Sequence, residues 1–178
     1  FRKGFAGSDQ LILLRNLAHV TFETRGASVG GELQDSRTYL GDNGTPLTNS
    51  FTNPLDILQL YVERPLPGSS GAKGWKFRAK LGRQTLSLGS KRQIERVSFA
   101  NVIKSYTGAY ISGTSSQGAQ LPSFYVVPIA RSPSRPRPII KNHFESDKEQ
   151  WQRRSWGLHL RHPFSSVVGN GPDWVEGF

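Results

Sequence analysis

Apolar and polar side chains alternate with a period of two along most of this chain, the period of a β-strand with two unlike faces. In LRNLAHVTFETR (14–25), Leu14, Ala18, Val20 and Phe22 share one face; Arg15, His19, Thr21, Glu23 and Arg25 share the other, and Leu17 is out of phase. ASVGGELQDSR follows after Gly26 and reads as the returning strand, with a short turn around Arg25–Ala27. In LDILQLYVERP, Leu58, Leu60 and Val62 oppose Gln59, Tyr61 and Glu63. In WKFRAKLGRQTLSL, Lys76, Arg78 and Lys80 oppose Trp75, Phe77, Ala79 and Leu81. The phase slips at Gly82, so that Arg83, Thr85 and Ser87 become the polar set, and this predicts a β-bulge at that glycine. SYTGAYISG and LPSFYVVPIA read as a hairpin. SWGLHLRHPF closes the series, with Trp156, Leu158 and Leu160 against Gly157, His159 and Arg161.

The pattern predicts an all-β, antiparallel chain of roughly seven strands, each about 9–11 residues long, the length that crosses an outer membrane at a tilt. Short turns alternate with long polar loops near 38–53 and 130–152. Helical periodicity is absent over any long segment, because Gly or Pro interrupts each candidate. Alternation alone leaves two environments open. A soluble strand turns its apolar face to a core; a transmembrane barrel turns it to lipid and its polar face to a wet lumen.

Composition narrows this only partly. Hydrophobic residues make up 35% of the chain, with 19 Gly, 11 Pro and no Cys, which excludes a disulfide frame and a cysteine zinc site. No apolar run is long enough for a transmembrane helix. Position 1 is Phe rather than Met, so the chain reads as a processed or cut product. The net charge is +10, and from Pro65 to Lys104 Glu95 is the sole acid against nine Lys and Arg. Such a surface calls for an anionic partner: nucleic acid, anionic lipid or an acidic sugar polymer.

Enzymatic chemistry finds no footing. Glu32 and Asp35 fall on opposite strand faces, which argues against a glycosidase carboxylate pair. The four His show no metal spacing; His159 and His162, three apart, point to opposite faces of a strand. No P-loop, dinucleotide fingerprint or Ser–His–Asp arrangement is present. The reading is therefore a non-enzyme with no metal and no cofactor.

GELQDSR, LQLYVE, LGRQTLSLGSKRQ, Asn101, YTGAYI, FYVVP and WGLHL, in that order from about Leu13 to about Leu160, resemble the alginate-export family of outer-membrane β-barrels. The matching positions are Glu32, Asp35, Arg37, Gly82, Arg83, Gln84, Gly89, Arg92, Asn101, Phe124, Pro128, Trp156 and Gly157. The chain departs from the family at Thr107, where relatives often carry an acid. The resemblance implies an up-and-down transmembrane barrel in a bacterial outer membrane, of which 1–178 is a single-domain N-terminal portion, too few strands to close. It implies a channel for an alginate-like polyuronate, with outer-membrane lipid around it and periplasmic secretion-complex proteins as possible partners. Arg15, Arg37, Lys76, Arg78, Lys80, Arg83, Arg92 and Arg161 are then expected to line the pore, with Glu23, Glu32, Asp35 and Glu63 as lumen acids pairing with them. Nucleic acid is not expected on this reading. The alternatives are a general small-anion porin on the same scaffold, and a soluble basic β-domain that binds nucleic acid or another polyanion.

Overall fold

The structure is a computed structural model that describes residues 10–41, 45–67, 74–89, 94–97, 99–165 and 172–177. Six long strands run up and down in chain order: β1 (Ile12–Glu23), β2 (Ser28–Tyr39), β3 (Asn53–Pro65), β4 (Trp75–Gln84), β5 (Tyr106–Ser115) and β6 (Ser123–Ala130). A short helix, α1 (Pro136–Ile140), precedes β7 (Lys148–Glu149) and β8 (Ser155–Leu158), which both pair with β6 and complete an eight-stranded antiparallel meander. β9 (Leu160–Ser165) and β10 (Pro172–Gly177) form a two-stranded ribbon. A break at His159, whose N–H donates to the Pro122 carbonyl, separates β8 from β9 within the segment that the alternation reads as one strand. The sheet is open: among the described residues β1 pairs only with β2.

The turns at one end are short. Thr24 and Ala27 close the β1–β2 turn by a backbone hydrogen bond of 2.8 Å. At the other end the β2–β3, β4–β5 and β6–β8 connections are long, and they fold back over one face of the sheet. The loop at 130–152 is not wholly irregular, since it contains α1 and β7.

The consequence is a sheet turned inside out. On β2, Gln34, Ser36 and Thr38 are buried at 0%, 0% and 2% exposure, while their neighbour Leu33 is 48% exposed. Across the sheet the apolar face stays open: Val20, Val29, Leu60, Val62, Leu81 and Tyr125 are all exposed. The polar face carries the packing: Glu32, Asp56, Gln59 and Gln84 are buried, together with Leu86, Leu88, Val102 and Ile103 of the β4–β5 connection.

Three expectations need correction. The phase change at Gly82 needs no inserted residue, because β3 and β4 pair continuously from Leu60↔Arg83 to Pro65↔Arg78. The reversal comes from Gly82 itself, at φ +123°, where a Cβ would run into the Leu60 carbonyl. The bulges lie instead in the β2–β3 pairing, between Glu32 and Leu33 and between Gln34 and Ser36. The first leaves Leu58 without a partner on β2 and buries it fully, so Leu58 does not share a face with exposed Leu60 and Val62. Finally, β4 ends at Gln84, and the stretch from Thr85 to Leu88 belongs to the long connection.

Candidate functional site

Strand pairing arranges the polar face in cross-strand rows, and one row carries the chemistry. It runs from Glu23 through Ser28, Glu63, Lys80, Tyr110 and Phe124 to Gly157. Arg78 and Lys76 continue along β4 on the same face, opposite Ser112 and Thr114. Glu63 accepts from Arg78 Nε at 2.6 Å and meets Lys80 Nζ at 3.4 Å. Lys80 also stands 4.1 Å above the centre of the Tyr61 ring. That ring lies down on the wall over Gly30, where any Cβ would collide with it. Lys76 is exposed and has no carboxylate partner among the described residues. Two cations thus share one carboxylate near the short-turn end and Lys76 stands beside them, leaving net positive charge beside water.

Towards the long-loop end the same face is electrically different. Arg83 Nη2 reaches Asp56 at 2.8 and 2.9 Å and Asp147 at 3.2 Å. Asp147, with its side chain 1% exposed, also accepts from the Ser132 N–H at 2.7 Å and from Asn53 at 3.2 Å. Burial pushes the Asp147 carboxyl above its usual range, against the pull of Arg83 and the Ser132 N–H. Glu32 is forked by Arg96 at 2.5 and 2.7 Å and accepts from Gln59 at 2.5 Å. That fork holds the Arg96 guanidinium above its ordinary value. Arg96 arrives on the β4–β5 connection, which is pinned to β1 and β2 at further points. Ile103 N–H donates to Gln34 Oε1 at 2.9 Å, Ser36 Oγ to the Asn101 carbonyl at 2.5 Å, and Arg15 to the Ala100 carbonyl. Asn142, just after α1, exchanges two hydrogen bonds with the Thr38 backbone.

The expected site residues therefore divide. Lys76, Arg78 and Lys80 gather with Glu63 as one ladder. Arg15, Arg83 and Glu32 lie on the same face but are bonded to the in-folded connections or to buried acids. Glu23 is exposed at the short-turn end of that face. Arg37 and Asp35 do not join: they pair with each other at 2.9 Å on the opposite, apolar face, in phase with Leu33 and Tyr39. Even alternation already places them there. Arg161 lies beyond the sheet, paired with Glu176 at 3.3 Å on β9–β10. Arg92 falls outside the described residues. Arg96, Asp56 and Asp147 escape the sequence reading. Arg96 and Asp147 stand in connections with no period to place them, and Asp56 stands in an apolar strand next to an unforeseen bulge.

An antiparallel meander that exposes its apolar face and packs its polar face under its own loops reverses the usual order of a soluble sheet, whose apolar face meets the core. The alginate export family matches residues 1–162, and the chain belongs to that family. It is a family of outer-membrane transport porins rather than enzymes. No curated protein and no solved structure matches the chain.

Proposed function

We propose that this sheet is part of the wall of an outer-membrane barrel whose lumen passes an anionic, alginate-like polysaccharide, with Lys76, Arg78 and Lys80 as the cations that the polymer meets. One observation carries the reading: the polar face holds the buried side chains and the Lys76, Arg78 and Lys80 ladder while Val29, Leu33, Leu60, Val62 and Leu81 stand exposed on the other. Exposed apolar positions over the four neighbouring strands β1–β4 make a surface that water disfavours and lipid accepts. A soluble polyanion-binding domain would leave that surface unexplained.

The ladder suits passage rather than capture. Guanidinium and ammonium groups pair with carboxylates. Conduction needs many such sites of moderate strength, since a site that holds too well stops the flow. Glu63 between Arg78 and Lys80 lowers the strength of each. No bond is made or broken, so no cofactor is called for. The test is ion selectivity in planar bilayers. K76Q/R78Q/K80Q in the whole protein should shift the reversal potential in a salt gradient towards cation preference. An unchanged potential would remove the ladder from the lumen.

A further inference from the structure

The charged ladder continues into aromatic residues for which charge selection has no use. In register, Lys80 is followed by Tyr110, Tyr110 by Phe124, and Phe124 by Gly157. Because Gly157 has no side chain, the Phe124 ring lies across it. A Cβ there would come within 2.8 Å of ring atoms Cε1 and Cζ. Phe124 borders a cleft of about 580 Å³ whose other walls include Leu88 and Ile94 of the in-folded connection, Gly157, His159 and Arg154. That volume is within the range of about 300–1,000 Å³ usual for small-ligand sites. Arg154 is exposed and has no carboxylate partner among the described residues.

We propose that Phe124, with Tyr110 beside it and Arg154 at the rim, forms a subsite for one sugar ring of the anionic polysaccharide. The inference rests on the channel reading above and names where that polymer is recognised as a sugar rather than as a charge. A pyranose presents a face of C–H groups that suits the negative face of an aromatic ring. The carboxylate of a uronate in that position reaches outward, and a guanidinium is its natural partner. The cleft combines mostly apolar walls with one cation, the usual composition of a site that orients a small ligand.

The test compares two blockers of bilayer conductance: a polyuronate and polyglutamate, a polyanion without sugar rings. Wild type, F124L, F124W and R154Q of the whole protein are used. F124L should raise the half-blocking concentration of polyuronate about tenfold, the lower part of what stacking on an aromatic face contributes. It should leave block by polyglutamate and the reversal potential unchanged. F124W should keep polyuronate block, which separates loss of the ring from damage to the fold, and R154Q should weaken both blockers. Equal shifts for both blockers in F124L, or none for either, would overturn the subsite while leaving the channel intact. Failure of both polymers to block a conducting wild type would remove the polysaccharide reading, leaving a general anion porin, and this inference with it.

Discussion

Arg83 shows how much rests on a single backbone angle. By residue type it belongs with Lys76, Arg78 and Lys80, although strict alternation would put it on the other face. Gly82 at φ +123° re-aims the chain, and Arg83 instead becomes the shared partner of Asp56 and Asp147. It is a fastener between the sheet and the β6–β7 connection. Arg83→Gln should therefore destabilise the folded protein in detergent, measured by thermal unfolding, and leave ion selectivity as it was. R78Q should do the reverse, since Arg78 is half exposed and, among the described residues, paired only with Glu63. At the glycine itself, Gly82→Ala forces a side chain into the Leu60 carbonyl and into a rare backbone conformation. A loss of about 1–3 kcal/mol is expected. Unfolding at the wild-type temperature would show that the backbone relaxes freely there. The sequence announced the slip at Gly82 but not its form, because an inserted residue and a positive φ leave the same trace in an alternating pattern.

Among the elements, the β4–β5 connection departs furthest from its sequence reading. Leu86 and Leu88 alternate with polar residues as a strand would, yet they are buried because the connection packs on the polar face. Alternation reports which side chains are buried and not what buries them. The connection is held by the Glu32–Arg96 fork, in which Glu32 is 6% exposed. Removing Arg96 leaves the Glu32 carboxylate buried without its partner, at a cost of up to about 3–5 kcal/mol, whereas removing both costs far less. Arg96→Gln should thus increase hydrogen exchange at the backbone amides of residues 94–105. E32Q/R96Q should restore much of the protection, giving a coupling that a double-mutant cycle would read. Additive effects of the two changes would mean that the fork does not hold the connection. The long strands, the short turns and the β5–β6 hairpin were legible from period and turn residues alone. The bulge that buries Leu58 and re-phases β3 was not, for no glycine or proline marks it at that residue.

For the whole molecule, the decisive property is which face meets which medium. A two-sided pattern reads the same in a soluble sheet and in a membrane wall, so composition and alternation could not choose between them. The family motifs could, and the exposed apolar face agrees with them. That assignment has its own check. Leu33, on the open face of β2 beside the bulge between Glu32 and Leu33, should not tolerate charge: Leu33→Lys should cost about 2–4 kcal/mol if it lies near the bilayer midplane. An exposed leucine of a soluble sheet would accept lysine at almost no cost, so unchanged stability in lipid would speak against the membrane face.

Conductance of the whole protein in planar bilayers during a polyuronate titration decides whether the lumen passes the polymer. Anion-selective channels should close stepwise as micromolar polyuronate is added, and reopen when salt screens the ladder. Anion-selective channels indifferent to the polymer would reduce the protein to a general anion porin. Inserted, folded protein that conducts nothing would contradict the channel itself.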